Sequence, residues 1–393
     1  MPGELPAARL LFCGADPDWE GSLIRNARRR NLAFLRAFLE AGEIGDVYVL
    51  RMTSRLAFLR EQWAIRRRRR QGETARATPV YVTRWIPERD WLPWASRVNR
   101  ALMRGLVRRR LGPARADTVV WCYALRGMLV ADLLGLEGQW FVDTDHDVLN
   151  DPNRRSIGFA RTEALILRCA RQAKRVFSAS RNMLAWLDRN GVRNCSRLRN
   201  GVRRERFEAR GPAPRRGARP RLGYVGVLSP WIDFTFLLDL ARRHPEWQLV
   251  IAGPWYRQGP VMELERLDNV ELMGAVHSED VPGLLAGLDV GLGLYHPAPW
   301  LDVDSMKLYE YLAAGLPVVS TRFHPHLRED FEGLVAVAEG VSDFAAEVEA
   351  ILGWGEDERS RWLARCDDFV SRNTWELRAR EALAAIREGL TSA

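Results

Sequence analysis

Short apolar runs rich in β-branched and aromatic residues alternate along this chain with longer stretches of helical spacing, and that alternation leaves few folds open. A parallel strand cannot reach its neighbour through a tight turn. It needs a crossover of a dozen or more residues, which an amphipathic helix supplies. In the first half the candidate strands are Leu10–Cys13, Val47–Leu50, Val80–Val82, Val119–Trp121, Trp140–Val142 and Val176–Ser178. Between them, Leu23–Ala41 and Ser156–Ala173 space their apolar residues as helices do.

The stretch Glu208–Pro220 (EARGPAPRRGARP) breaks the pattern with prolines and glycines and no apolar period, as a linker does. A fresh alternation follows. Strand Leu222–Val227, helix Phe234–Arg243, strands Leu249–Ala252 and Val270–Met273, and helix Asp280–Gly287 come first. Strand Val290–Leu294, helix Met306–Ala314, strand Val318–Ser320 and the helices Glu358–Val370 and Trp375–Leu390 complete it. With 393 residues the chain can bury two separate cores. The expectation is an α/β protein of two Rossmann-like, doubly wound domains, 1–207 and 221–393, joined by the linker 208–220 and facing a central cleft. The last helix is expected to pack back on the N-terminal domain. Open parallel sheets bind ligands outside the carboxyl ends of their strands, so the chemistry is sought there.

Charge divides along the same boundary. Residues 1–200 carry 37 Lys+Arg against 20 Asp+Glu, and residues 201–393 carry 22 against 30. An excess of cations confined to one half implies an anionic partner for that half. Only Lys174 and Lys307 of the 59 basic residues are lysine, a bias expected of a GC-rich genome. The five cysteines are scattered, odd in number and without a CxxC pair, which reads as buried free thiols. Asp16, Asp18 and Glu20 follow the apolar run Leu10–Cys13 too soon for a signal peptide, and no run approaches the roughly 18 apolar residues of a membrane helix. A cytoplasmic protein is expected.

The most informative segment is Asp302–Val319, DVDSMKLYEYLAAGLPVV. A loop feeds a helix that Gly315 stops, and Pro317 precedes the next strand. Free N–H groups at a helix start attract anions. Ser305 and Met306 would present them, and Lys307 adds a cation. Glu310 lies about one turn further on, on the same side, where a carboxylate could accept both hydroxyls of a ribose. An anion site beside a diol acceptor is what a nucleoside diphosphate requires. Taken singly, Lys307 and Glu310 would be ordinary solvated helix residues.

This segment resembles the C-terminal signature of GT-B glycosyltransferases of family 4, in which two Glu residues separated by seven precede a helix ending in Gly-x-Pro-Val-Val. Asp302 and Glu310 have that spacing, with Asp in the first place. The run Asp304-Ser305-Met306-Lys307-Leu308 is similar to family 70, the lipid-linked exopolysaccharide glucuronosyltransferases, which carry Gln where this chain has Glu310. The resemblance implies a GT-B architecture, a nucleotide-sugar donor (UDP by default for these families) held in the second half, a saccharide acceptor and no metal or other cofactor. It also implies a donor-side role for Gly226 and Leu228, at the end of the GYVG strand and in the loop after it, and for Tyr295. A polyprenyl-diphosphate-linked acceptor fits the family 70 likeness.

Three acids and a histidine crowd the end of the strand in Phe141–Asn150 (FVDTDHDVLN). A sugar transferase needs a base for the acceptor hydroxyl or a positioning group beside the sugar. Asp147 and His146 are the candidates, and the family 70 likeness favours Asp147 as the base. The bland reading is a charged, solvated loop with one carboxylate capping the next helix. Asp143–Asp145 has the Asp-x-Asp shape of a GT-A metal site, but those enzymes bind nucleotide in the first half, so no metal is expected. In the first βα loop, Asp16, Trp19, Arg25 and Asn31 are candidate acceptor contacts.

Residues 51–110 hold 17 arginines against four acids, with Trp63, Trp85, Trp91 and Trp94 among them. Arginine with interfacial tryptophan suits a peripheral protein on an anionic membrane surface, and a solvated basic surface is the alternative. Two other functions remain open at this point. A nucleic-acid-binding protein would share the basic pI near 9.7, but no nucleic-acid module appears and the second half is acidic. A sugar-nucleotide epimerase would share the fold, but has no acceptor to explain a basic, Trp-bearing first half.

Overall fold

Strands covered by helices on both faces have no solvent side, and their sequences are apolar at successive positions. Arg9–Cys13 (RLLFC) is buried throughout, and Thr118–Tyr123 (TVVWCY) nearly so. The structure, a computed structural model, describes residues 8–15, 30–53, 77–83, 93–113, 115–144, 157–207, 219–228, 231–254, 259–297 and 302–391. The chain divides into two compact units, Met1–Arg199 with Arg378–Ala393, and Asn200–Leu377.

The first unit contains strands β1 (Arg9–Cys13), β2 (Asp46–Thr53), β3 (Thr78–Thr83), β4 (Thr118–Tyr123), β5 (Gln139–Thr144), β6 (Arg175–Ser178) and β7 (Cys195–Arg197). They form one parallel sheet in the order β3-β2-β1-β4-β5-β6-β7. Its helices are α1 (Arg30–Ala41), α2 (Pro93–Leu111), α3 (Ala124–Leu134), α4 (Ile157–Gln172) and α5 (Arg181–Arg189). The strand order reverses between β1 and β4, and backbone approaches backbone closely at that switch. Gly14, just past β1, has φ +104°, and a Cβ there would lie 2.5 Å from the Tyr123 carbonyl oxygen. On one face of the sheet Trp121 stacks on Phe177 with centroids 5.6 Å apart and meets Phe38 edge-on at 5.0 Å.

The second unit repeats the plan with β8 (Arg221–Val225), β9 (Gln248–Ala252), β10 (Val270–Gly274), β11 (Val290–Gly293), β12 (Val318–Thr321) and β13 (Val335–Ala338). These strands are parallel in the order β10-β9-β8-β11-β12-β13. Helices α6 (Phe234–Arg243), α7 (Gly259–Leu264), α8 (Val281–Ala286), α9 (Met306–Ala313), α10 (Leu327–Asp330), α11 (Val341–Leu352) and α12 (Glu356–Ser371) accompany them. The final helix, α13 (Trp375–Thr391), belongs to the first unit from Arg378 onward. There Arg387 pairs with Glu43, and a Cβ on Gly389 would fall 2.8 Å from Cζ of Phe141.

Asp143, at the end of β5, is fully buried against Arg30 at the start of α1. The guanidinium donates Nη2 to Oδ1 at 2.8 Å and Nε to Oδ2 at 3.0 Å, and Nη2 also reaches the Leu198 carbonyl at 2.8 Å. One cation therefore ties α1, β5 and the segment after β7. Burial raises the Asp143 carboxyl above the usual carboxylate range while Arg30 pulls against it, so the ionised pair depends on that guanidinium. The first aspartate of the Asp-x-Asp shape is thus spent inside the fold. Four of the five cysteines are buried thiols, and Cys195 is partly exposed. Removing the cation alone should be severe. Arg30→Met is expected to lower stability by about 3–5 kcal/mol, read as a lower urea midpoint, and adding Asp143→Leu should recover most of that loss.

Candidate functional site

The site grows from the carboxyl end of the second sheet. β11 runs out through Tyr295, which is pinned on several sides. Its N–H donates to Thr321 Oγ1 at 3.0 Å, the Thr321 hydroxyl donates to its carbonyl at 2.7 Å, and its ring packs on Phe323 with centroids 4.4 Å apart. The phenol is thereby aimed at the loop that enters α9. Its oxygen lies 2.7 Å from Ser305 Oγ and accepts from Lys307 Nζ at 2.9 Å.

Ser305 occupies the N-cap position of α9, yet its side chain makes no cap hydrogen bond. Capping serines ordinarily occupy one of the first-turn amides. Here the hydroxyl is engaged by Tyr295 instead, so the first-turn amides of this eight-residue helix are not capped by Ser305. Lys307 lies in that turn. Its ammonium sits 4.9 Å from the ring centroids of both Tyr224 and Tyr295. Burial works against its charge, but the oxygens of Tyr224, Tyr295 and Tyr311 and the Tyr295 hydrogen bond outweigh it and raise the ammonium above the ordinary lysine value. The lysine is held charged and in place.

Glycine makes room for it. A Cβ on Gly226 would meet Cε of Lys307 at 2.6 Å, so the lysine stem lies directly against the backbone at the end of β8. The neighbouring turn is tighter still. Gly253 has φ +151°, and its Cβ would fall 1.9 Å from the Gly226 carbonyl oxygen.

The loop before α9 is held by Asp304. Oδ1 accepts from the Tyr309 phenol at 2.8 Å and Oδ2 from the Asn200 backbone N–H at 2.5 Å, while the Asn200 side-chain amide donates to the Asp304 carbonyl. Tyr311 fixes the helix from its other side, accepting from the Val225 N–H at 2.8 Å. Asp302 and Glu310 are both buried in this segment. The arrangement offers one fixed cation beside first-turn amides that Ser305 does not cap, which together suit a small polyanion. Among the described residues no group of three or more His, Cys, Asp and Glu is placed to hold a metal ion.

Residues 219–354 match the family model described as glycosyl transferases group 1. The chain is 33% identical over 183 residues to a Bacillus subtilis (strain 168) protein assigned provisionally as the teichuronic acid biosynthesis glycosyltransferase TuaH. That match covers 43% of this chain and 45% of the relative's length. Among solved structures, Anabaena HepE in complex with UDP-glucose superposes with TM-score 0.64 at 14% identity, over 98% of this chain and 100% of that one. Sucrose-phosphate synthase from Thermosynechococcus elongatus gives 0.68 at 14% identity, over 98% and 100%. The fold is that of the GT-B glycosyltransferases.

Within this GT-B chain, Gly226, Tyr295, Ser305 and Lys307 come together as one cluster, with Met306 in the same turn. Leu228 does not join it through its side chain, which is buried in the core, and its N–H donates to the Pro254 carbonyl at 3.1 Å. Asn31 lies in the other unit, buried, with its side-chain amide donating to the Gly14 carbonyl at 3.1 Å and its oxygen accepting from the Leu32 N–H at 2.9 Å. Asp16, Trp19, Arg25, His146 and Asp147 lie outside the described residues.

Sequence reasoning passed over Asn200, Tyr224 and Tyr311, and it named Asp304 only as part of a matching run, with no role of its own. Tyr224 had a usable signal, since it stands two residues before Gly226 on a strand and so shares its face. Asn200 had none, because its contact with Asp304 spans 104 residues.

The two glycines of this turn should behave differently. Gly253→Ala drives a Cβ into backbone at an unfavourable φ and should cost at least about 2 kcal/mol in thermal or urea unfolding. Gly226→Ala meets side chains rather than backbone, Cε of Lys307 at 2.6 Å first, and should cost less than Gly253→Ala while displacing the Lys307 ammonium.

Proposed function

We propose that this chain transfers a sugar from a nucleoside-diphosphate sugar, UDP-linked, to a saccharide acceptor in polysaccharide biosynthesis. The observation that carries the reading is the Lys307 ammonium, fixed by Tyr295 against Gly226 in the first turn of α9. Lys307 and the first-turn amides receive the diphosphate, and Glu310 accepts the ribose hydroxyls. Asp302 and the backbone at Gly226 and Leu228 line the donor. The UDP-glucose bound by HepE and the name of the teichuronic acid relative support the donor and the pathway class.

Chemically, the acceptor hydroxyl oxygen bonds to the anomeric carbon as the bond from that carbon to the β-phosphate oxygen breaks. Asp147, with His146 beside it, takes the hydroxyl proton. The negative charge that builds on the departing diphosphate falls on the fixed cation and the helix start, a preorganised electrostatic role that needs no metal ion. Asp16, Trp19, Arg25 and Asn31 serve the acceptor side. The acceptor is a polyprenyl-diphosphate-linked saccharide, and the protein works as a peripheral protein on the inner face of the plasma membrane. Among the described residues no helix is long and apolar enough to cross a membrane.

A thermal-shift series with UDP, GDP, ADP and dTDP, with and without magnesium, tests the donor site. At about 100 times its dissociation constant, UDP should stabilise the protein by about 2.7 kcal/mol without magnesium, and Lys307→Ala should remove that shift. An unchanged shift in Lys307→Ala, or no shift with any of the four, would overturn the assignment. The pH dependence has a definite sign. The folded-state pKa of Lys307 lies above the ordinary 10.5, so its charge is complete below that value and is lost only as pH rises through the higher folded one. UDP affinity should therefore fall by no more than about twofold between pH 7 and about 9.5 when followed by calorimetry.

A further inference from the structure

Helix α2 (Pro93–Leu111) carries six arginines and no acidic residue, and it shows two different apolar rows. Met103, Val107 and Leu111, in line with the buried polar Asn99, dock the helix on its own unit. Val98, Leu102 and Leu106, each one position earlier, are 38%, 46% and 40% exposed. Residues four apart stack along one helix flank, so these three make a continuous outward stripe. Leu129 on the neighbouring α3 is 49% exposed, and α3 is tied to α2 by Arg104, whose Nε donates to the Leu133 carbonyl at 3.0 Å. Four of the seven large apolar residues exposed among the described ones thus sit on this helix pair.

An exposed apolar stripe needs an occupant, and the charge around it selects among them. Arg97, Arg100, Arg104, Arg108, Arg109 and Arg110 lie on the same helix, where Arg108 pairs with Glu137 at 3.0 Å in the open. A second copy docked through the same patch would bring two arginine-rich helices face to face, which like charges oppose. An anionic bilayer meets both requirements, since its headgroups answer the guanidinium groups and its acyl boundary takes the leucines. Six charges in 19 residues make the helix one that lies on a membrane rather than one that crosses it.

We infer that the outer flank of α2, with Val98, Leu102 and Leu106 as its apolar contacts and Arg97 and Arg109 among its cations, is the face by which this protein docks on anionic lipid. This takes the peripheral-membrane part of the proposed function to a named surface and does not depend on sugar transfer. Co-sedimentation of the whole chain with vesicles of phosphatidylcholine alone, and with about 30 mol% phosphatidylglycerol, measures it. The protein should partition onto the anionic vesicles and not the neutral ones. Leu102→Gln with Leu106→Gln should lower that partition at least about tenfold. Arg97→Gln with Arg109→Gln should lower it about tenfold and flatten its salt dependence. All four positions are exposed, so an unchanged melting temperature and an unchanged UDP shift show that the variants fold. Equal binding to both vesicle types, no binding to either, or undiminished binding by the leucine variant would overturn the inference. So would a dimer that the leucine variant abolishes without any vesicle binding. Failure here with an intact UDP shift leaves the transferase reading standing, and the reverse outcome removes that reading alone.

Discussion

The geometry around Lys307 depends on one buried carboxylate. Asp304 accepts from a backbone N–H at the first residue of the second unit and from a phenol one turn into α9, so it joins the loop to the helix that the loop introduces. With those two hydrogen bonds made, the direction of the first turn is set, and Ser305 is carried toward Tyr295 rather than back over its own helix. A buried carboxylate with satisfied oxygens is a stiff element, because each partner would be expensive to leave unpaired. The lysine that follows inherits that stiffness.

Sheet order explains why the cluster is found where it is. In the order β10-β9-β8-β11-β12-β13, β8 and β11 are neighbours whose connections leave in opposite directions. Gly226 follows β8 and Tyr295 follows β11, so the gap at the switch point is bordered by a bare backbone on one side and a phenol on the other. The first unit has the same switch between β1 and β4, where Gly14 and Gly127 let two backbones approach. A Cβ on Gly127 would lie 2.6 Å from the Cys13 carbonyl oxygen. That close packing is shared by both halves, whereas the fixed cation belongs to the second.

Much of this was legible from residue order. The strands found around Leu10, Val119, Trp140, Leu222, Leu249 and Val290 follow from uninterrupted apolar runs, which only a strand buried on both faces can use. β7 was not legible, since Cys-Ser-Arg has no apolar run and is held by pairing with β6. β13 escaped for another reason, a four-residue strand of alternating Val and Ala that reads equally well as helix. α3 is apolar nearly all round and lacks the stripe that marks a helix on a surface. At the site, Lys307 could be named because it stands in the signature segment, and Tyr295 because it ends a legible strand. The carboxylate that orients them depends on Asn200, a contact that no local pattern records.

The scarcity of lysine in this chain has a practical side. Lys307 carries a proton that tyrosine oxygens hold on tightly, and a protonated amine has no lone pair to offer an acylating reagent. Lys174, exposed at the start of the turn into β6, is the only other lysine side chain. Of the two lysine side chains, amine-directed tethering chemistry will therefore fall on Lys174, in the first unit. A protein attached to a sensor surface in that way keeps the Lys307 ammonium unmodified.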